Sequence, residues 1–291
     1  MQQYLCPIPA KVLLLGEYVT LVGGTAVARP LHRFTTKWTN STKNEAAQTP
    51  LYGLLNYLQQ VEERGELLVK CDFSAFETAL KNGFWLESTV PQGYGLGSSG
   101  AVVAAVYRDF CEKNTDFTVL KTHLAQIECF FHGASSGIDP LICYTENALV
   151  INADATISLA PETTSLTNFW LIDTQKPRKT EPLVAHFKQL YSENSYKAAI
   201  QNDYIPINEV CVAAYLNSDE AAFENAIFEL SKLQISIFKD MIPDFLLEYW
   251  QEGLNSRRFC LKLCGAGGGG FMLAYAKNKT DLPVFLQNLV V

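Results

Sequence analysis

The feature that most constrains this chain is a glycine-rich segment at residues 91–100, which reads Pro-Gln-Gly-Tyr-Gly-Leu-Gly-Ser-Ser-Gly. It follows residues 84–90, whose alternating apolar side chains predict a strand, and it precedes residues 101–110, whose pattern predicts a helix. Glycines let successive backbone N–H groups converge, and the start of a helix adds unpaired donors and the positive end of the helix dipole. The segment therefore predicts a loop that binds an anion such as a polyphosphate.

The same segment satisfies a second, competing pattern. Gly95, Gly97 and Gly100 match the G-x-G-x-x-G fingerprint of dinucleotide-binding proteins. That interpretation requires a strand after the helix and an acidic residue about 20 positions on to hold the ribose. The polar residues 112–116 and another predicted helix follow instead, so a nicotinamide oxidoreductase rests on the three glycines alone. A P-loop NTPase is excluded because G-x-x-x-x-G-K-[ST] does not occur.

Composition narrows the class of protein further. The 291 residues are 48% hydrophobic and 18% charged, which is typical of a globular protein with material for two cores. The net charge of −7 argues against non-specific nucleic-acid binding, and no apolar run is long enough to span a membrane. Eight cysteines without a C-x-x-C pair predict reduced thiols and a cytoplasmic location. We expect a small-molecule substrate and no nucleic-acid or membrane partner, and a homodimer is left open.

The hydrophobic pattern predicts an α+β protein of two domains that meet near residue 165. The first half shows strands at 10–15, 84–90 and 149–159, helices at 51–64, 101–110 and 119–131, and a polar loop at 37–50. The second half shows a strand at 169–173, helices at 181–191, 207–216, 221–238 and 244–254, and strands on either side of 265–270. The predicted domains are a mixed one at 1–165 and a helix-rich α+β one at 166–291.

Two acids and one lysine are the candidate catalytic groups. Glu128 lies in a predicted helix, and Asp139 follows a turn and precedes Pro140, which biases Asp139 toward an extended backbone. Lys11 interrupts an apolar run. Phosphoryl transfer to a hydroxyl needs a group that orients or deprotonates the acceptor, a cation beside the phosphates, and Mg²⁺ held by oxygen ligands. These groups would be Asp139, Lys11, and the pair Ser99 with Glu128, in that order. Because the four histidines lack zinc-ligand spacing, we expect any metal to be held by oxygen ligands.

A second glycine-rich segment occupies residues 264–270, between two alternating apolar runs. It fits either a flexible hairpin or a loop whose bare backbone approaches a bound phosphate closely. The sequence alone does not choose between them.

Taken together and in this order, these motifs resemble those of the GHMP kinase superfamily, named for galactokinase, homoserine kinase, mevalonate kinase and phosphomevalonate kinase. Residues 9–17 are similar to its amino-terminal motif, residues 91–99 to its phosphate loop, and residues 262–270 to its carboxyl-terminal glycine motif. The segment 132–139, with Glu128 eleven positions before Asp139, is most similar to the mevalonate kinases. Residues 173–180 are similar to the family's D-T-G…R-x-T segment.

The resemblance implies a two-domain GHMP kinase fold with the active site in the cleft between the domains, and ATP and Mg²⁺ as cofactors. Asp139 would be the base and Lys11 the cation beside it, while Ser99 and Glu128 would hold Mg²⁺. The expected acceptor is mevalonate, an isoprenoid precursor. The implied ATP-binding residues are Gly93, Gly95, Leu96, Gly97, Ser98, Ser99, Gly267 and Gly268, and the implied substrate residues are Glu17, Tyr18, Ser136, Gly265 and Ala266.

The sequence departs from the family pattern at four positions. Tyr18 stands where His is usual, Ser135 where Pro is usual, Pro140 where Asn is frequent, and Cys264 where Thr is usual. Because Tyr18 and Ser135 fall where the family contacts its acceptor, phosphomevalonate, a sugar or homoserine remain alternative acceptors. A non-catalytic nucleotide-binding regulator of the same fold is the other alternative, although it would not need Lys11, Glu128 and Asp139.

Overall fold

The computed structural model describes residues 6–40, 44–161 and 168–291. In these ranges helices and strands occur mostly in runs, and the longest strand directly precedes the longest helix along the chain. The elements are β1 (Ile8–Leu15), β2 (Ala26–Thr39), α1 (Glu45–Glu63), α2 (Phe73–Lys81), β3 (Trp85–Ser88), α3 (Ser98–Phe110), α4 (Phe117–His132), α5 (Ile138–Thr145), β4 (Leu149–Ile151), β5 (Ile157–Leu159), β6 (Phe169–Asp173), α6 (Thr180–Tyr191), α7 (Asn194–Ala198), α8 (Ile205–Leu216), α9 (Glu220–Ile237), α10 (Asp244–Ser256), β7 (Phe259–Leu263), β8 (Phe271–Ala276) and α11 (Val284–Leu289).

The strands form two sheets. The larger has the order β1-β2-β4-β5, with β3 also paired to β2, and the smaller has the order β6-β8-β7. The pairings of β2 with β3 and β4, of β4 with β5, and of β8 with β6 and β7 are all antiparallel. A dinucleotide-binding unit requires neighbouring parallel strands joined by a helix, which none of these pairings provides.

By their contacts, the residues divide into two compact units that are discontinuous along the chain. Unit 1 is Met1–Lys11, Arg29–Pro91 and Leu96–Asn147, and unit 2 is Val12–Ala28, Gln92–Gly95 and Ala148–Val291. The consecutive domain limits expected from the sequence, 1–165 and 166–291, stay a prediction. The predicted mixture of helix and sheet is confirmed.

Unit 1 is built around α3, which packs on α4 and α5. This helix is rich in alanine and valine, and Ala101, Ala104 and Ala105 are fully buried, so neighbouring helices can approach it closely. At its carboxyl end, Phe110 stacks on Phe76 of α2 with ring centroids 4.6 Å apart. The helix is therefore fixed along its length, which places its amino-terminal turn at a defined position.

Unit 2 is built around the smaller sheet. All residues of β7 and β8 are buried, and α9 and α10 pack against β7. Trp250 of α10 is fully buried and its indole N–H donates to the Ser231 carbonyl at 3.1 Å, while the Ser231 hydroxyl donates to the Leu261 carbonyl at 2.6 Å. These bonds join both helices to the sheet without an unsatisfied polar group.

Several predicted elements are corrected. The loop expected at 37–50 is wrong at 37–39 and 45–50, because β2 runs to Thr39 and α1 begins at Glu45. Residues 41–43 lie outside the described residues. The Asn44 side chain caps α1 by accepting the N–H of Ala47 at 3.0 Å, and the buried apolar face offsets the hydrogen bond lost at Pro50. The strand expected at 149–159 is two short strands, β4 and β5, and α2 was not predicted.

The expectation of reduced thiols is wrong for one pair of cysteines. Cys71 and Cys111 form a disulfide across 40 residues of chain, at an isolated antiparallel bridge between the start of α2 and the end of α3. Two backbone hydrogen bonds flank it, from Asp72 N–H to the Phe110 carbonyl at 2.7 Å and from Glu112 N–H to the Lys70 carbonyl at 2.8 Å. The other six cysteines, all of them among the described residues, are not part of a disulfide.

Removing this disulfide is expected to destabilise unit 1. A covalent loop of 40 residues limits the unfolded chain, so the double substitution Cys71→Ser with Cys111→Ser should lower the free energy of unfolding by about 2–4 kcal/mol. Urea unfolding with and without dithiothreitol measures the effect. Cys6→Ser, which changes an exposed free thiol, should leave the curve unchanged. Alkylation of both Cys71 and Cys111 in the unreduced protein would contradict the assignment.

Within residues 6–40, 44–161 and 168–291, none of the helices combines the length and the apolar character that crossing a membrane requires.

Candidate active site

The amino-terminal end of α3 presents backbone donors. Gly97 is the N-cap with φ 70°, and Ser98, Ser99 and Gly100 form the first turn. A Cβ on Gly97 would lie 2.8 Å from Cγ of Lys11 and 3.5 Å from Oδ2 of Asp139, so only glycine fits there. Leu96 is buried, and its carbonyl accepts the Lys11 N–H at 3.0 Å. This turn has the geometry of a helix-terminus anion site.

Lys11 and Asp139 form an ion pair beside this turn. Nζ of Lys11 lies 3.0 Å from Oδ1 of Asp139, and the lysine side chain is 11% exposed while the aspartate side chain is 38% exposed. Asp139 is therefore the member of the pair that solvent or a substrate reaches. The extended backbone expected at Asp139 is wrong, because this residue lies in the first turn of α5. Pro140 is tolerated there because the first turn of a helix does not use its N–H groups.

Ser99 and Glu128 lie together, as expected for a pair of metal ligands. The Ser99 hydroxyl donates to Oε1 of Glu128 at 3.0 Å, and its oxygen lies 3.0 Å from Nε2 of His132. The Ser135 hydroxyl donates to the other oxygen of the same carboxylate. Glu128 is 5% exposed, so α4 supplies a buried carboxylate at the start of α3. Ser136, the neighbour of Ser135, is exposed, and its hydroxyl oxygen accepts the Ile138 N–H at 3.4 Å.

Burial raises the pKa of Glu128 above its ordinary value, and the negative charge of Asp139 raises it further. The hydrogen bonds from Ser135 and Ser99 act in the opposite direction but do not cancel the rise. Holding this carboxylate ionised therefore costs the folded state free energy. A bound cation would remove that cost, which is the behaviour expected of a metal ligand.

Glu128→Gln is expected to stabilise the protein in the absence of metal near neutral pH. Because the folded-state pKa of Glu128 is raised, the folded chain holds the proton more tightly than the unfolded chain, and stability falls as pH rises through that pKa. The neutral amide lacks this penalty. Urea unfolding in EDTA should show a higher midpoint for the variant near neutral pH and a smaller difference in acid. Glu62→Gln, at an exposed position of α1, serves as the control, and equal midpoints for wild type and Glu128→Gln would contradict the prediction.

In unit 2, the earlier part of the glycine loop lies against Arg178. The Arg178 N–H donates to the Gly93 carbonyl at 2.9 Å, and a Cβ on Gly95 would overlap the guanidinium. A Cβ on Gly265 would lie 3.2 Å from the same guanidinium. Gly95 and Gly265 therefore lie beside one guanidinium, a suitable arrangement for an anion, while Gly93 contacts the Arg178 backbone.

The carboxyl-terminal glycine segment is an ordered turn between β7 and β8. Gly268 N–H donates to the Met241 carbonyl at 2.6 Å, and Gly270 N–H donates to the Lys176 carbonyl at 2.6 Å. Gly267 has φ 68°, and the Met241 carbonyl occupies the space that a Cβ would need. These two hydrogen bonds fix the turn, which a flexible hairpin would not require. The backbone N–H groups of Gly268 and Gly270 are already used by carbonyls, so the predicted contact of Gly267 and Gly268 with ATP stays a prediction.

Glu17 and Tyr18 lie in a buried polar network of unit 2. Glu17 and Lys262 are both 0% exposed and form an ion pair, while Gln234 Nε2 donates to Oε2 of Glu17 at 3.2 Å. Burial raises the pKa of Glu17, and the Lys262 ammonium opposes that rise. The Tyr18 hydroxyl donates to the Ala266 carbonyl at 2.6 Å, so Tyr18 contacts the glycine segment directly. Roles of Glu17, Tyr18, Ser136, Gly265 and Ala266 toward a substrate stay predictions.

The structure thus assembles two groups of predicted residues, one in each unit. In unit 1, Lys11 and Asp139 pair beside Gly97, and Ser99 bonds to Glu128, so these residues all lie around the start of α3. Sequence reasoning missed the parts played by His132, Ser135 and Lys262. Only Lys262 carried a signal, because a lysine in the otherwise apolar strand Phe-Cys-Leu-Lys-Leu indicates a buried partner.

Residues 56–147 match the family model described as GHMP kinases N terminal domain. That range contains the whole glycine loop at 91–100, including Ser99, as well as Glu128 and Asp139, whereas Lys11 lies outside it. The resemblance to the GHMP kinase superfamily predicted from the motifs is confirmed.

One curated relative and two solved structures are similar to this chain over most of its length. The chain is 25% identical to the mevalonate kinase of Archaeoglobus fulgidus over 293 residues, which cover 96% of this chain and 94% of that protein. The crystal structure of a Lin0012 protein from Listeria innocua matches with a TM-score of 0.68 and 18% identity, covering 94% of this chain and 91% of that one. L. major mevalonate kinase in complex with R-mevalonate matches with a TM-score of 0.63 and 17% identity, covering 94% and 87%. These structures share the fold.

Proposed function

We propose that this protein is an ATP- and Mg²⁺-dependent kinase that phosphorylates a hydroxyl group of a small molecule, with mevalonate as the acceptor. The observation that carries the proposal is the Lys11–Asp139 ion pair beside the first turn of α3, with Ser99 and Glu128 joined at the same turn. A cation, a carboxylate and a polyphosphate-binding helix end are the parts that phosphoryl transfer to a hydroxyl requires.

The residues present fit the two ligands that this reaction needs. Mg²⁺ prefers oxygen ligands and keeps several waters, so one serine hydroxyl and one carboxylate suit it when phosphates complete its coordination. Ser99 and Glu128 would hold it, and because burial raises the pKa of Glu128, a bound cation would favour the ionised form of this carboxylate. When bound, Mg²⁺ would offset the negative charge of the phosphates. The backbone of Gly97, Ser98 and Ser99 would receive the phosphate oxygens.

Asp139 is the group placed to receive the acceptor's proton. In the transfer, the acceptor oxygen forms a bond to the γ-phosphorus, the bond between that phosphorus and the β,γ-bridging oxygen breaks, and the hydroxyl proton passes to the carboxylate. The Lys11 ammonium, 3.0 Å from Oδ1, orients the Asp139 carboxylate.

Mevalonate as the acceptor is supported by the full-length similarity to a mevalonate kinase at 25% identity. Phosphomevalonate, a sugar or homoserine are alternative acceptors of the same chemistry. A cytoplasmic setting is part of the proposal and is supported by the six cysteines that form no disulfide, while the Cys71–Cys111 disulfide argues against it.

The proposal is tested by ADP release from Mg-ATP with mevalonate, phosphomevalonate, homoserine and galactose as separate acceptors. The expected result is turnover with mevalonate and phosphate found on its hydroxyl by mass spectrometry. Turnover with another acceptor would support the kinase activity but overturn mevalonate as its acceptor. Nucleotide binding without turnover on any acceptor would overturn the kinase proposal and favour the nucleotide-binding regulator.

A further inference from the structure

The Glu128 carboxylate is held at both of its oxygens by hydroxyl groups. Ser99 donates to Oε1 at 3.0 Å and Ser135 donates to Oε2. An ionised carboxylate only accepts hydrogen bonds, so both hydroxyl protons point toward it. Ser99 belongs to α3 and to the proposed metal site, whereas nothing in the proposed function yet assigns a part to Ser135.

Ser135 is itself fixed by the backbone of the turn that precedes α5. Its oxygen accepts the Gly137 N–H at 2.9 Å. Gly137 is the N-cap of α5 with φ 73°, and a Cβ there would overlap the Lys121 carbonyl and lie 3.0 Å from the Ala125 Cβ, both on α4. The turn therefore packs directly against α4, and the Ser135 hydroxyl connects this turn to the Glu128 carboxylate.

A carboxylate in this position needs such support. Asp139, the second residue of α5, is close enough for its negative charge to raise the pKa of Glu128. Without a donor on Oε2, rotation of the Glu128 side chain away from Asp139 would relieve the repulsion and would also move Oε1 away from Ser99. Hydrogen bonds to metal-ligating carboxylates generally fix their orientation and strengthen metal binding.

We propose that Ser135 is a positioning residue that holds Glu128 in the orientation in which it and Ser99 bind a divalent cation together. This inference rests on the proposed function, since it assigns Mg²⁺ to Ser99 and Glu128. Ser135 replaces the proline of the motif that segment 132–139 resembles, and proline has no hydroxyl. The hydroxyl group that supports Glu128 is therefore a feature of this sequence and not of the motif it resembles.

The test measures metal-assisted nucleotide binding, with no acceptor present. Calorimetry determines the Kd of full-length protein for the β,γ-imido analogue of ATP in EDTA and in saturating Mg²⁺, and the ratio of the two gives the gain in affinity due to the metal. Ser135→Ala should reduce this gain about tenfold or more while leaving the Kd in EDTA unchanged. Ser135→Thr keeps the hydroxyl and should restore the gain.

Ser88→Ala is the matched control in the same unit. The Ser88 hydroxyl likewise bonds one side chain, Thr36 at 2.8 Å, and accepts a backbone N–H two residues on, from Val90 at 3.1 Å. It should match Ser135→Ala in any general effect on stability and leave the metal-dependent gain at the wild-type value. Equal gains in Ser135→Ala and wild type, or equal losses in Ser135→Ala and Ser88→Ala, would overturn the inference.

The outcomes also separate this inference from the proposed function. If wild type gains affinity from Mg²⁺ but phosphorylates no acceptor, the kinase proposal fails and Ser135 is still decided by the binding experiment. If the wild type turns over and Ser135→Ala requires no more Mg²⁺ for half-maximal rate, the kinase stands and the role of Ser135 is wrong. If the wild type shows no metal-dependent gain, Ser99 and Glu128 do not form a cation site and the inference is wrong.

Discussion

Replacing Asp139 with asparagine is expected to lower the rate of phosphoryl transfer by about 10²–10⁴-fold, the range usual for the loss of a positioned general base. Asparagine keeps the shape of the side chain and can remain near Lys11, but it cannot take the acceptor's proton at neutral pH. Since the carboxylate contacts Lys11 and not the backbone donors of α3, the Kd for nucleotide should change little. ADP release and calorimetry on the same preparation measure the two quantities.

The control for this substitution is Asp203→Asn, which changes an exposed aspartate in unit 2 and should keep the wild-type rate. A folded Asp139→Asn protein that turns over at the wild-type rate would rule out Asp139 as the base. A parallel loss of nucleotide affinity and rate would instead show that Asp139 supports the phosphate loop, as its contact with Gly100 would allow.

Lys262→Met is expected to produce the largest change in stability, a loss of about 3–5 kcal/mol in the free energy of unfolding. Methionine fills similar space but leaves the Glu17 carboxylate buried without its cation. Because Glu17 and Lys262 are both fully buried, water cannot replace the lost partner. The loss should become smaller in acid, where Glu17 takes up a proton and no longer carries a buried charge. Urea unfolding across this pH range provides the measurement.

Two further variants make the result specific to the ion pair. Glu17→Gln combined with Lys262→Met removes both charges and should recover most of the lost stability, because well-packed neutral groups often replace a buried pair without cost. Lys277→Met removes an exposed lysine that pairs with Glu224 at 2.9 Å, and it should have a much smaller effect. If the double variant is no more stable than Lys262→Met, the loss came from packing and not from the unpaired carboxylate.

The parts of the fold and site that could be predicted are those that depend on residues close together in the sequence. The glycines before α3 occur within ten residues of one another, and the apolar spacing of α3 and α4 indicates helices without reference to any partner. The order of Lys11, the loop, Glu128 and Asp139 then suggested one kind of chemistry. Within unit 1, the structure brings Lys11, Glu128 and Asp139 to the part of the loop that begins at Leu96.

The parts that could not be predicted depend on distant partners. Glu17 and Lys262 are separated by 245 positions, and Cys71 and Cys111 by 40, so neither pairing has a local signature. The strand β2 was missed because nine of its 14 residues are only partly buried or exposed, and the alternation that marks a strand is lost. Pro140 suggested an extended backbone at Asp139, but proline is also tolerated in the first turn of a helix. Here α5 begins directly after its N-cap, Gly137, so Asp139 and Pro140 both lie in that first turn.

The close approach of α3 and α5 has a consequence for how this protein can change. A Cβ on Gly100 would lie 2.9 Å from the Pro140 nitrogen and 3.0 Å from the Asp139 carbonyl carbon, so the two helices touch through main-chain atoms. Main-chain atoms are the same in every amino acid, and substitutions elsewhere in either helix leave this spacing unaltered. Exposed positions such as Ser136 can therefore vary while the distance from the first turn of α3 to Asp139 stays the same.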